Sequence, residues 1–253
     1  MKKLLAENGE LCYLGGEKKM IFAGIVAGGS GTRMKNAGVP KQFIRILGKP
    51  IIIYTVEKFA AQKHINEIYI GIKPDWHEFM DKLLDEYAVD RSRVKVIDGG
   101  SDRNDTVMKI VAAIKAAHPI KKGDIILTHD AVRPFLTEKM IEDNIIGAFK
   151  YAACGTYVKC VDTVVRSDDG ETVDGTLDRS CLYRAQTPQS FDITLLDKYY
   201  SELDDEQKSK LTDTCSIFTA KGEKIHIVEG NAINIKITTD SDLIIAKLLA
   251  SRV

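Results

Sequence analysis

Residues Met20–Phe43 read MIFAGIVAGGSGTRMKNAGVPKQF, and the fold is decided there. Ile21 to Val26 is a short, partly β-branched apolar run bounded at once by glycines, the pattern of a buried strand rather than a helix. Gly28, Gly29 and Gly31 follow it, and in such a loop successive backbone N–H groups can face a phosphate with no Cβ atoms in the way. Arg33 and Lys41 bring two cations to the same loop. Strand, glycine turn and cations together predict a polyphosphate site, with a nucleoside triphosphate as its ligand. The blander alternative is a glycine-rich turn with two solvated cations; Arg33 and the Pro40-Lys41-Gln42 triplet favour the site.

Spacing weakens two better-known readings of these glycines. A dinucleotide fold needs G-x-G-x-x-G, and a P-loop needs G-x-x-x-x-G-K-[ST]; neither pattern is present. An NAD-dependent oxidoreductase is therefore disfavoured.

The 253 residues suffice for one large α/β domain or two small ones. Lys plus Arg and Asp plus Glu both number 36, so no global field draws nucleic acid or an anionic membrane. An anion site has to be made locally, by a few convergent cations. The five cysteines, Cys12, Cys154, Cys160, Cys181 and Cys215, are odd in number and lack C-x-x-C spacing, which predicts reduced thiols in a cytoplasmic protein. Residues 1–19 open with MKKLL, but Glu7, Asn8 and Glu10 break the apolar stretch before it reaches signal-peptide length. They are read as an extension outside the fold, leaving 20–253 as a single domain. No later apolar run approaches the roughly 18 residues of a membrane-spanning helix.

Downstream, strands are expected at Glu67–Ile72, Arg93–Ile97 and Asp124–Thr128, and helices at Ile51–Ala61, Asp75–Tyr87, Asp102–Ala117 and Thr137–Ala153. Such alternation predicts a Rossmann-like α/β fold, a mostly parallel sheet flanked by helices, with ligands beyond the carboxyl ends of the strands. The pattern changes at Asp162–Tyr183, DTVVRSDDGETVDGTLDRSCLY, where Asp169-Gly170 and Asp174-Gly175 signal turns of short hairpins. This segment, 162–183, holds too few apolar residues for a core and reads as a projecting β-arm that embraces a second subunit. Helices near Ile193–Ser201 and Asp213–Lys221, a strand at Lys224–Glu229, extended Asn234–Ile237 and a helix at Asp240–Ala250 follow.

Two further loops carry candidate chemistry. Gly99 to Thr106 places two glycines before a helix N-terminus, whose free N–H groups suit an anion or a base, with capping by Ser101 or Asp102 as the structural alternative. Thr128-His129-Asp130-Ala131-Val132-Arg133-Pro134 puts Asp130 just past a strand end, a position suited to Mg2+, with Arg133 able to reach an anionic substrate or simply to pair with Asp130. His129 is read as structural, because phosphate oxygens are already ionised at neutral pH and need no base. Lys236, among apolar neighbours on an expected strand, needs an anion or access to water. Thr239 and Asp242 match an N-terminal helix cap.

The motifs A-G-G-x-G-x-R-M, P-K-Q, G-G-x-x-R-x-D-[ST], H-D-A-x-R-P, D-T, D-R, T-P-Q, T-D and N-I-K-[IV]-T occur in the order found in the polyol-phosphate cytidylyltransferases, and the chain from Met20 onward resembles that family. The resemblance implies transfer of CMP from CTP to a polyol phosphate with release of pyrophosphate, aided by Mg2+ at Asp130. It implies that Ala27, Gly28, Gly29, Gly31, Gly100, Ser101, Arg103 and Thr106 bind CTP, and that Arg33, Lys41 and Lys236 surround the triphosphate. Asp130, Arg133, Thr163, Arg179, Thr187, Thr212 and Lys236 would bind the acceptor, Thr163 and Arg179 reaching it across a homodimer interface. The wording around Gly99–Thr106, His129–Leu136 and Gln186–Phe191, and Gly28, resembles the ribitol-5-phosphate branch more than the methylerythritol-phosphate branch, which is the alternative. A CTP-binding regulator without activity is the non-enzyme alternative, disfavoured by retention of Arg33, Lys41, Asp130, Arg179 and Lys236 together.

Overall fold

The computed structural model describes residues 18–29 and 39–252; Cys12, Gly31 and Arg33, and the expected extension up to residue 17, lie outside the described residues. The strands β1 (Ile21–Val26), β2 (Glu67–Ile72), β3 (Val94–Asp98), β4 (Ile125–Asp130), β5 (Ala153–Lys159), β6 (Tyr183–Asp192) and β7 (His226–Glu229) form one sheet of order β7-β5-β6-β4-β1-β2-β3. Every pairing is parallel except those of β6, which runs antiparallel to both β4 and β5. The α/β architecture is the expected one.

Alternation along the central strands explains the layers. Ile21, Ala23 and Ile25 of β1 and Ile125 and Leu127 of β4 face one side, where they meet α1 (Ile51–Ala60), α2 (His77–Glu86) and α4 (Glu138–Tyr151). Phe22, Ile126 and Phe191 face the other, against α3 (Arg103–Ala117), α5 (Ile193–Ser201) and, past the short α6 (Asp205–Ser209), α7 (Cys215–Thr219). A smaller core of Ile46, Ile51, Val132, Phe135 and Ile237 packs on Ala246 of α8 (Asp240–Ala250). Gly71 lies where β2 touches α3: a Cβ there would sit 2.5 Å from Thr106 Cγ2, so only glycine allows the approach.

Three expectations need correction. The helix expected to end at Ala153 stops at Tyr151, Ala152 takes the left-handed conformation at φ 63°, and Ala153 opens β5, a strand absent from the expected elements. Gln186–Gln189, to which no element was assigned above, belongs to the ten-residue β6, whose first three residues are exposed and whose remainder is buried. Asn234–Ile237 is not a strand; it is held by single bonds such as Ile237 N–H to the Val132 carbonyl at 3.0 Å. These segments lack a readable period, because β6 is half neck and half core, and the 234–237 segment is fixed from both sides by other loops.

The arm joins β5 to β6. Val165–Arg166 pairs with Gly175–Thr176, and the chain turns at Asp169-Gly170, where Gly170 has φ 76°. Gly175 lies within the ladder, so Asp174-Gly175 is not a second turn. Among the described residues the free thiols are Cys154, Cys160, Cys181 and Cys215, and no helix is long and apolar enough to cross a membrane.

Candidate active site

The carboxyl ends of β1 to β4 converge on a cavity of about 260 Å3. Its wall includes Ala27, Gly28 and Gly29 after β1, Lys73 after β2, Gly100 to Arg103 and Thr106 after β3, and Asp130 at the end of β4, joined by Lys41 and Lys236. The cavity lies beyond the strand ends, where a ligand is expected in such sheets, because the parallel strands deliver four loops to one edge.

Lys41 is delivered by a short turn. Lys41–Phe43 forms one 3-10 turn after Pro40, and its flanks are pinned from both sides. Gln42 Nε2 donates to the Ala27 carbonyl at 2.7 Å, while the Phe43 ring packs 5.1 Å from Trp76 and 4.8 Å from Phe79. Gln42 and Phe43 are buried, and Lys41, just before them, stands on the cavity wall.

The loop after β3 is closed on itself. Asp102 caps α3 by accepting from the Asp105 N–H, and Gly100 N–H donates to Thr106 Oγ1 at 2.9 Å. Ser101 uses both N–H and Oγ on Asp105 Oδ2, at 2.7 and 3.0 Å. A Cβ on Gly100 would fall 2.5 Å from the Asp105 carboxyl, so this turn requires glycine. Capping and cavity wall therefore coincide in one loop.

The strongest electrostatics lie at Asp130, which is buried. Arg103 Nε donates to Oδ1 at 3.0 Å; Oδ2 accepts from Lys236 Nζ at 3.0 Å and from Arg133 Nε at 3.2 Å. Burial works against the carboxylate charge, but Arg103, then Lys236 and Arg133, outweigh it and hold its pKa well below the usual range. Three cations on one carboxylate leave a net positive pocket, which suits a polyanion.

Behind Asp130, fully buried His129 sends its Nε2–H to the Arg133 carbonyl at 3.1 Å, an atom that can only accept. Nδ1 is then the acceptor for the Thr187 hydroxyl at 2.9 Å, and Thr187 Oγ1 in turn accepts from the Asp130 N–H at 3.1 Å. Burial pulls the imidazole down to about 4. A neutral ring with both nitrogens engaged holds the loop and serves as no base.

The structure thus brings Ala27, Gly28, Gly29, Lys41, Gly100, Ser101, Arg103, Thr106, Asp130 and Lys236 to one cavity. Arg133 stands directly behind, bonded to Asp130. Thr187 is spent on His129 and Asp130 rather than on the cavity wall, and Thr212, Thr163 and Arg179 are exposed outside it. Sequence reasoning missed Gln42 as an anchor, Lys73, which the same strand-end rule applied to β2 would have found, and Thr214, for which no local signal exists.

A Mg2+ ion takes oxygen ligands and is commonly held by one or two carboxylates together with substrate phosphates. Asp130 fits that minimal set, whereas among the described residues no three His, Cys, Asp or Glu side chains gather into a metal-binding group. With both Asp130 oxygens engaged by Arg103, Lys236 and Arg133, a metal there would be held together with bound phosphates and not by protein alone.

The model of the family described as 2-C-methyl-D-erythritol 4-phosphate cytidylyltransferase (IspD) matches residues 21–252. The chain belongs to this family. The structure of 4-diphosphocytidyl-2C-methyl-D-erythritol synthase from Anaerococcus prevotii DSM 20548 is similar at 32% identity over 92% of this chain and 97% of that one, with a TM-score of 0.76. The 2-C-methyl-D-erythritol 4-phosphate cytidylyltransferase of Francisella tularensis is 27% identical over 91% and 99% of the two chains, with a TM-score of 0.74. The corresponding Thermus thermophilus structure, at 23% identity, TM-score 0.72 and coverage of 92% and 100%, shares the fold.

Membership in the IspD family brings the reaction class, cytidylyl transfer, and the nucleotidyltransferase fold. The leaning toward ribitol phosphate gains no support from these matches, which favour the methylerythritol alternative. Gly28 does not decide the acceptor either: a Cβ there would lie 3.4 Å from Thr106 Oγ1, an ordinary van der Waals contact, so the position has room for alanine as well.

Proposed function

We propose that this protein transfers CMP from CTP to 2-C-methyl-D-erythritol 4-phosphate, releasing pyrophosphate. The observation that carries this reading is the match to the IspD family over residues 21–252, on a chain whose strand ends hold Lys41, Arg103 and Lys236 around one cavity with Asp130. An ionised phosphate oxygen of the acceptor attacks the α-phosphorus in line, one P–O bond forms, and the bond to the β-phosphate oxygen breaks. No covalent enzyme intermediate and no base are needed, in keeping with the neutral, fully engaged His129.

What such a reaction needs is cations fixed in place while two anions meet and charge builds on the equatorial and leaving oxygens. Arg33, Lys41 and Lys236 take that role, with Lys73 adding charge on the β2 side. Ala27, Gly28, Gly29, Gly31, Gly100, Ser101 and Thr106 form the nucleotide cradle. Asp130 faces both metal and acceptor, with Arg133 beside it. Mg2+, when bound, supplies charge neutralisation between Asp130 and the phosphates. Thr187 acts by fixing Asp130 from behind, and Thr212 borders the acceptor side. The arm, with Val161, Val165, Val173 and Leu177 exposed, pairs with a second copy and presents Thr163 and Arg179 to that copy's acceptor.

The test is pyrophosphate release with CTP and Mg2+ in parallel reactions containing 2-C-methyl-D-erythritol 4-phosphate, D-ribitol 5-phosphate or glycerol 3-phosphate. Release with the first is expected. Release with ribitol phosphate alone would overturn the acceptor, and release with none by folded protein that binds CTP would leave a regulator.

A further inference from the structure

Each of the three cations on Asp130 is held differently. Arg133 has a second anchor, Nη1 to the Asn234 carbonyl at 2.9 Å. Arg103 has one too, Nη1 to Thr214 Oγ1 at 2.6 Å. Among the described residues Lys236 shows only its bond to Asp130, and its side chain is 39% exposed against 19% for Arg103 and 11% for Arg133.

Thr214 is itself fully buried and fixed through both its hydroxyl and its N–H. Its hydroxyl donates to Asn104 Oδ1 at 3.3 Å while accepting from Arg103. Its N–H donates to Gln189 Oε1 at 3.2 Å, and Gln189 Nε2 is held by Asp213 Oδ2 at 2.6 Å. Arg103 Nη2 is buried without a partner among the described residues, which offer the guanidinium no other anchor on that side.

We infer that Thr214 is a positioning residue: its hydroxyl keeps Arg103 on Asp130, so that Asp130 stays neutralised by two fixed arginines and Lys236 can exchange onto phosphate. The inference rests on the proposed cytidylyl transfer. Asp130 would otherwise require Lys236 as its counter-charge, and moving Lys236 to a triphosphate would leave a buried carboxylate underpaired, which is costly. With both arginines anchored, the exchange transfers one cation and strands none.

Thr214→Val keeps the shape and removes the hydroxyl. A hydrogen bond to a charged group is worth about 1.5–3 kcal/mol, so kcat is expected to fall roughly tenfold or more. KM for CTP is expected to change by less than about threefold, and Thr214→Ser to restore kcat to within about twofold of wild type. Wild-type kcat in Thr214→Val, or Thr214→Ser as slow as Thr214→Val, would overturn the assignment. Wild-type protein assayed alongside separates this failure from failure of the reaction itself, since only the latter abolishes pyrophosphate release in every sample. If Thr214→Val melts below the assay temperature, Arg103→Lys answers in its place: one ammonium cannot span Asp130 and Thr214, so a tenfold loss is again expected. Undiminished kcat in Arg103→Lys would overturn the inference.

Discussion

At the Asp130 end of the cavity, beside the short-range bonds Arg133 to Asp130 and His129 to Arg133, side chains are fixed by bonds that reach 27, 57, 101 and 111 positions: Arg103 to Asp130, Thr187 to Asp130, Arg133 to Asn234 and Arg103 to Thr214. On the arm they join neighbours. Asp169 accepts from Glu171 and Thr172, Arg166 pairs with Asp168, Asp178 caps Ser180, and the longest reach is Arg179 to the Val161 carbonyl, 18 positions away. One region is preorganised by the whole body of the protein. The other keeps its shape locally and leaves Val161, Val165, Val173 and Leu177 exposed. Long-range fixing and local fixing are thus divided between two parts of one chain.

The division breaks first at Lys41. Lys41→Ala removes a cation from the cavity while leaving the arm untouched, so turnover is expected to fall by roughly a hundredfold or more, on the order of 2.7–4 kcal/mol, with the oligomeric state unchanged in light scattering. Near-normal turnover would remove Lys41 from the mechanism.

Acid tests the body alone. His129 titrates near 6.5 when unfolded and at about 4 in the fold, so between these values the unfolded chain binds the extra proton and stability declines as pH falls. Up to about 3 kcal/mol is lost by pH 4, at 1.36 kcal/mol per unit. Asp130, whose pKa is depressed, keeps its contribution throughout that window and loses it only at more acid pH. Urea midpoints at pH 7 and 4.5 measure the loss; an equal slope in His129→Gln would assign it elsewhere.

On the arm the order reverses. Arg179→Ala is expected to raise KM for the acceptor roughly tenfold or more, the value of one hydrogen bond to a charged group, without moving the melting temperature. A shifted melt with unchanged KM would make Arg179 a structural part of the arm. The smallest effect belongs to Lys73, exposed at the cavity rim: Lys73→Ala is expected to raise KM for CTP by about two- to fivefold, and more weakly in high salt. No change at low salt would take it out of the nucleotide site.

Much of the fold was legible in the sequence. Ile21–Val26 and Glu67–Ile72 carry their strand pattern within six residues, and Ile193–Ser201 and Asp240–Ala250 carry caps and periodicity within or beside their own span. Thr239 and Asp242 form the capping box expected of them. Illegible were Ala153–Lys159, hidden behind a helix end that a left-handed alanine terminates, and β6, whose exposed and buried halves share no period. Thr187 and Thr212 were assigned alike from motif, yet one is buried against His129 and the other exposed, a difference set by neighbours far away in sequence.

What the sequence determined alone is whatever depends on near neighbours: strand and helix periods, the glycine turns, the caps, and the set of charged residues available for a polyanion. What only the tertiary structure decided is which charges meet, because Arg103, Asp130, Arg133, Thr214 and Lys236 come from distant segments that touch only in the folded chain. A charge has no periodicity to announce its partner. Its energy depends on burial and distance, and both exist only once the strands have taken their places.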